Sequence, residues 1–495
     1  MAVLQALQTI FTPQILPMII LGAIIGIIFG AIPGLSGTGA MILLMPLTYR
    51  MDHSLAIAFL ISLWVGGCSG SFIGSILLGI PGEAASIATC YDGHPMALKG
   101  EAVRALSAGC VSNFIGTTPS ALLAMLACPL IAKIAISLGP WEYFALGVCA
   151  ISMVVTLSKD NLFKGFLSAA IGILLSCVGL APVDAAERFT FGTYFLKGGF
   201  SLTYVMLGIF AASTILIDYA KNSSKTKVEQ KIGRFKWPAK DMKDNVWNIL
   251  RSWLVGVWIG FLPGMGAALS NVTAYAMAKS ASKHPEEFGK GTVEGVFAPE
   301  TANNASIGGA MIPMVALGIP GDTASAILLG ALMIHGVEAG PLMIKNNAPM
   351  VNIMFVTVLV AALIVFVLEI VGMPVYPRIL QIPKHYLYPA ILLICFLGAF
   401  SGEYTIMAIL MVLVFAVIGL LMAWGGLPTS PMILSFILGN MLETNLRKAI
   451  SYSDNGWVSF FQRPVSAALL GVAIFCAVWP YLKDLIKKLK VRKNA

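Results

Sequence analysis

Charged residues are almost absent from long stretches of the chain. None occurs between Met1 and Tyr49, and uncharged runs recur at Ser54–Gly82, Ala105–Ala132, Ser252–Ala278, Asn346–Leu368, Tyr404–Leu442 and Pro464–Leu482. Each run matches or exceeds the roughly 17–25 apolar residues that a membrane-crossing helix needs. Several are long enough for two elements, which predicts about a dozen crossings plus re-entrant segments. The runs do not alternate with period two over segments of about 10 residues, as strands of a transmembrane barrel would. The expected fold is therefore all-α and polytopic.

Composition supports that pattern. Of 495 residues, 58% are hydrophobic and 11% charged, with a mean hydropathy of +0.86, which excludes an ordinary soluble domain. No Lys or Arg precedes the first apolar run, so it reads as a retained membrane segment instead of a removable signal. The net charge of +9 does not point to nucleic acid, because the basic residues gather at Lys221–Lys243 and Lys483–Lys493, where the positive-inside rule places cytoplasmic segments. The eight cysteines lie mostly in apolar runs without C-x-x-C pairs and read as packing residues, so no metal site or disulfide is expected.

Comparing the chain with itself reveals two halves. Gly26-x3-Gly30-x2-Pro33-Gly34 recurs as Gly256-x3-Gly260-x2-Pro263-Gly264, a shift of 230 residues. Leu78-Gly-Ile-Pro-Gly-Glu-Ala-Ala-Ser86 recurs as Leu317-Gly-Ile-Pro-Gly-Asp-Thr-Ala-Ser325, a shift of 239. This predicts a first repeat over 1–220, a basic cytoplasmic linker over 221–248, a second repeat over 249–463 and an extra helix with a basic tail over 464–495. An outside N-terminus and an inside linker make the repeat inverted; a parallel repeat with the N-terminus inside is the alternative.

Proline lacks an amide hydrogen and glycine tolerates unusual backbone angles, so Pro-Gly inside an apolar run interrupts a helix. Such interruptions survive in a membrane where protein or a watery cavity surrounds them, and they form substrate sites between repeats. The candidate substrate residues are accordingly Pro33, Gly34, Ser36, Pro81, Gly82, Ser86, Pro263, Gly264, Asn271, Pro320, Gly321 and Ser325, with Asn303 and Asn304 as further donors to an anion. Thr89, Ser270 and Thr323 lie nearby, and Glu300, Thr38 and Thr273 are candidates for a coupling cation. The plain alternative is that the glycines permit close packing and the polar side chains bond neighbouring helices.

Tyr91-Asp-Gly-His-Pro95 reads as a turn with Asp92 as a capping residue. Lys99 and Arg104 are the first-half cations placed to attract an anion, and Glu369 is a further candidate for proton coupling. Gly34-Leu-Ser36-Gly fits a short serine-protease pattern, but all five histidines lie beside charges or turn residues, and the matching second-half position is Gly266. No catalytic residue is assigned and no enzymatic activity is expected.

Gly30-Ala-Ile-Pro-Gly34, Gly79-Ile-Pro-Gly82, Asp92-Gly93, Pro299-Glu-Thr-Ala-Asn-Asn304, Gly318-Ile-Pro-Gly321 and His335-Gly336 together resemble the large membrane subunit of the tripartite tricarboxylate transporter family. The resemblance implies a bacterial inner-membrane permease that works with a small membrane subunit and a periplasmic solute-binding protein. It also implies citrate-like or other organic-acid substrates and a Na+ or H+ gradient in place of ATP or a bound cofactor. A standalone ion-coupled organic-anion permease or exporter is the alternative.

Overall fold

The computed structural model describes residues 2–156, 162–220, 232–264, 266–381 and 384–493. The basic residues Lys221, Lys225, Lys227 and Lys231 of the expected linker lie outside the described residues. The described chain is helical apart from a two-stranded hairpin, Gly179–Leu180 with Glu187–Arg188. Among the described residues, four helices are long and apolar enough to cross a membrane unaided: His53–Leu78, Ala102–Ala135, Ala348–Ile379 and Ile406–Gly425. Two bent pairs bring the number to six if each is one span. Shorter apolar helices, such as Val246–Phe261, would span only about 24 Å at 1.5 Å per residue.

By contact the chain forms two compact units, each assembled from two separated stretches. One comprises Met1–Ala132 with Thr203–Leu420, the other Lys133–Leu202 with Leu421–Ala495. In the smaller unit, helices Pro140–Thr156 and Leu162–Ser176 pack with Thr429–Ser451 and Pro464–Lys493. There Arg188 meets Glu443 through two bonds of 2.8 and 3.0 Å, and the Arg463 guanidinium lies 3.8 Å from the centre of the Trp141 ring.

The larger unit holds both copies of the sequence repeat. Its first copy runs through α1 (Ile15–Ala31), α2 (Gly37–Leu44), α3 (His53–Leu78), α4 (Ile87–Leu98) and α5 (Ala102–Ala135). Its second runs through α6 (Val246–Phe261), α7 (Gly266–Ala281), α8 (Glu294–Leu317), α9 (Thr323–Ile334) and, after a longer connection, α10 (Ala348–Gly372). The repeated glycines let helix backbones touch. A methyl group on Gly26 of α1 would sit 2.6 Å from the Leu63 carbonyl of α3, and Gly70 of α3 is equally close to Ile27. In the second copy Gly256 meets Ala302 and Gly309 meets Val257, the same partners displaced by 230 or 239 residues. Sequence repetition thus extends to residue-by-residue packing, because only a missing side chain permits such an approach.

Candidate functional site

The interruptions repeat as closely as the packing. After α1, Ile32 adopts φ −81°, ψ 118°; after α6, Leu262 adopts φ −77°, ψ 121°. Pro33 and Pro263 follow, and then Gly34 and Gly264 take φ of 89° and 75°, in the left-handed region where glycine costs least. The helices α3 and α8 both end in a left-handed glycine, Gly79 at φ 67°, ψ 15° and Gly318 at φ 72°, ψ 22°. Beyond them Gly82 and Gly321 press on the carbonyls of Gly30 and Gly260, so each second interruption is braced against the end of the first helix of its own half. The Gly264 amide also donates to the Gly321 carbonyl at 2.7 Å.

Short helices begin at these breaks, and their exposed amides are capped from within the chain. Ser36 accepts the Gly39 amide at 2.9 Å and opens α2. Asp322 and Ser325 form a reciprocal capping box at the start of α9, with the Ser325 amide 2.8 Å from the carboxylate. Ser86 is fully buried and bonds Ser75 at 2.8 Å, pinning the start of α4 to α3. Asn271, fully buried on α7, accepts the Ala88 amide of α4 at 2.9 Å. At the breaks themselves Pro33, Pro81 and Pro263 are half-buried and Pro320 is buried.

Two carboxylates at the breaks are absent from the residues singled out above. Glu83 precedes α4 and accepts the Thr38 hydroxyl of α2 at 3.0 Å; Asp322 precedes α9 and backs onto Gly266 at the start of α7. In each half, then, the acid after the second break lies against the start of the helix after the first. The signal was in the repeat: Glu83 and Asp322 are the same position displaced by 239 residues. Both are carboxyls at the N-terminal side of a short helix, the end whose dipole favours negative charge.

Behind the breaks lies a polar core on α8. Glu300, Asn303 and Asn304 are completely buried, as are Thr89 and Asn271, which face them. Asn304 takes the Ser69 hydroxyl of α3 at 2.8 Å and donates to Asn113 of α5 at 2.7 Å, and Asn113 in turn donates to Glu369 of α10 at 3.1 Å. Asn303 accepts the Cys68 thiol at 3.1 Å and donates to the Cys68 carbonyl at 3.4 Å. The amides of Asn303 and Asn304 are thus engaged with α3 and α5 in this conformation. Asn113 had no sequence signal, being a single amide in an apolar run. Glu300 accepts the Thr89 hydroxyl on Oε1. Ser270 ties α7 to α8 through the Ala302 carbonyl at 3.2 Å; Thr273 and Thr323 are half-buried on α7 and α9.

Elsewhere the structure departs from expectation. Tyr91–Pro95 is not a turn but lies inside α4, where Pro95 is accommodated within the helix. Asp92 does cap, though at a distance: Oδ1 accepts the amides of Gly289, Gly291 and Thr292 at 2.9, 2.8 and 3.0 Å, and Oδ2 accepts the Tyr275 hydroxyl at 2.8 Å. Arg104 bonds Asp241 at 2.7 and 2.9 Å and Glu101 at 2.8 Å, so its charge is matched locally. That guanidinium holds the Asp241 carboxyl below the usual carboxylate range. Among the described residues no group of three or more His, Cys, Asp or Glu side chains is arranged to hold a metal ion.

Comparison with known proteins finds relatives along almost the whole chain. The chain is 30% identical over 481 residues to the uncharacterized 52.8 kDa protein in the TAR-I ttuC' 3' region of Agrobacterium vitis, covering 97% of this chain and 96% of that one. It is 31% identical over 233 residues to an uncharacterized protein in the TAR-II ttuC' 3' region of the same organism, covering 47% of this chain and 96% of the relative. No solved structure matches the chain. The model of the tripartite tricarboxylate transporter TctA family matches residues 16–434, which include every break described above, and the chain belongs to that family of large transporter membrane subunits.

Proposed function

We propose that this chain imports a citrate-like tricarboxylate or a related organic acid across the bacterial inner membrane. It receives the anion from a periplasmic solute-binding protein, works beside a small membrane subunit, and draws on a Na+ or H+ gradient. The observation that carries the reading is the doubled set of helix breaks in a member of this transporter family: Pro33-Gly34 with Pro81-Gly82, and Pro263-Gly264 with Pro320-Gly321. Interrupted helices in paired halves provide backbone groups that an unbroken span keeps to itself.

The substrate carboxylates are assigned to the four breaks, beside Ser36, Ser86, Asn271 and Ser325, where Glu83 and Asp322 lie against the starts of α2 and α7 and a co-bound cation offsets the gathered negative charge. Charge there is favourable because a buried carboxylate without a partner is costly, while a helix N-terminus and a co-bound cation reduce that cost. The proposed repeats are 1–220 and 249–463, inverted with respect to one another, joined by 221–248 and followed by 464–495.

The test is citrate uptake into vesicles that contain the carrier and its small subunit, with and without the binding protein. Uptake that requires the binding protein and an ion gradient is expected. Full activity without the binding protein would replace the tripartite reading with a standalone permease.

A further inference from the structure

Glu300 has one oxygen with no partner. It is completely buried on α8; Oε1 receives the Thr89 hydroxyl, and no hydrogen bond from the described residues reaches Oε2. One N–H of the Asn303 amide is spent on the Cys68 carbonyl at 3.4 Å; its second lies near enough to act on the Glu300 carboxyl but makes no hydrogen bond of normal geometry to Oε2. The donors behind Oε1 run in one direction. The Ala88 amide donates to Asn271, the Asn271 side-chain amide donates to the Thr89 hydroxyl at 3.4 Å, and Thr89 spends its only proton on Glu300.

Among the described residues no Lys, Arg or His pairs with the carboxyl. Among the described residues, the titratable groups that feel Glu300 include Cys90 of α4, Cys68 of α3 and Glu369 of α10, none of which carries positive charge. On α7, Tyr275 is bonded to Asp92, and on α6, Arg251 is turned to Asn248 at 3.1 Å. An ionised carboxylate in such a place is costly, and taking a proton removes that cost.

The repeat supplies an internal control for the alternative that this polar group merely holds helices together. A shift of 239 residues places Ile61 of α3 opposite Glu300 and Leu328 of α9 opposite Thr89; a shift of 230 places Met41 of α2 opposite Asn271. All three counterparts are completely buried. The same glycine contacts hold both copies, so the backbone arrangement forms equally well around three apolar side chains.

We propose that Glu300 is the proton-carrying group of this carrier, protonated on its free Oε2 from one side of the membrane and deprotonated to the other as the organic anion crosses. The inference rests on the transport reading and narrows its coupling ion to H+. The step is balanced by itself: one O–H bond forms between a proton from water and Oε2, and the same bond later breaks to return the proton to water. Thr89 and Asn271 are positioning residues that keep Oε1 engaged, so that Oε2 is the atom that titrates. The site is closed in this structure, which a carrier requires between loading and release; movement of α4 or α7 away from α8 would open it.

Two measurements test this. Infrared difference spectra of the full chain in lipid nanodiscs, recorded across pH without substrate, should contain a protonated-carboxyl C=O band that is missing from Glu300→Gln and indifferent to Na+ at constant pH. Identical spectra for the two proteins, or loss of the band on adding Na+, would overturn the proposal. In proteoliposomes with the partner subunits and the membrane potential clamped at zero, wild type should accumulate citrate about tenfold per unit of inward pH gradient, since one proton is moved per anion. Glu300→Gln should reach no accumulation yet still exchange internal for external labelled citrate; accumulation at the wild-type level would also overturn it. Absence of wild-type citrate uptake would count against the transport reading for that acid alone, and the spectra would still decide the role of Glu300.

Discussion

The two copies of the repeat share their backbone and differ in their chemistry. Around the breaks the match is close: left-handed Gly79 and Gly318, bracing Gly82 and Gly321, acids Glu83 and Asp322. About four to five helix turns before those left-handed glycines, the copies part. On α8 the buried sequence Glu300-Thr-Ala-Asn-Asn304 replaces Ile61-Ser-Leu-Trp-Val65 of α3. The buried Asp92 of α4 likewise has Ala331 as its counterpart on α9. What recurs in both copies is what the interrupted fold needs sterically. What occurs once is polar and buried: Asp92 ties down the segment before α8, whereas the group around Glu300 has an apolar counterpart in the same backbone setting, which makes it the better guide to function.

The comparison can be broken most severely at its shared part. Gly82→Ala and Gly321→Ala each drive a methyl group into a backbone carbonyl that no rotamer change can clear, at a cost of about 3 kcal/mol or more. Both should sharply reduce the carrier recovered from membranes, Gly82→Ala more than Gly321→Ala because its approach is closer. Recovery at the wild-type level would show that the braces are not needed.

Next in size is an unshared residue. Asp92→Ala removes a carboxylate that accepts three backbone amides and one phenol, and should destabilise the carrier by about 3 kcal/mol. Hydrogen exchange should then rise at Gly289, Gly291 and Thr292, while Ala331→Ser in the other copy should change little.

The comparison is sharpened by making the copies alike. Glu300→Leu combined with Thr89→Val gives the polar site the character of its apolar counterpart. Replacing buried polar groups by well-packed apolar ones is often neutral, so the thermal midpoint should correspond to a change within about 1 kcal/mol while uptake is lost. A large fall in stability would show that the polar group is structural after all.

The smallest effect concerns Asp241, whose hydrogen bond from Arg104 depresses its folded-state pKa. A depressed acid stabilises the folded state above its unfolded pKa, about 3.9, and that contribution fades as pH falls through the lower folded value. The Arg104 side chain is 47% exposed, so screening limits the contribution to about 0.5 kcal/mol. Exchange in Ala239–Asp244 should therefore increase only below about pH 4, and Asp241→Asn should remove that dependence.

Uncharged length alone determined that this is a helical membrane protein, because a backbone in lipid must satisfy its own hydrogen bonds. The doubled Pro-Gly motifs marked where the helices stop, because proline and glycine act on their own backbone and need no neighbour to do so. Tertiary structure decided what those motifs touch: that Gly82 braces Gly30, that Glu83 meets Thr38, and that Tyr91–Pro95 stays helical. It alone brought Thr89, Asn271 and Glu300 together across as many as 211 positions, since a polar residue in an apolar run carries no sign of its partner until helix packing supplies one.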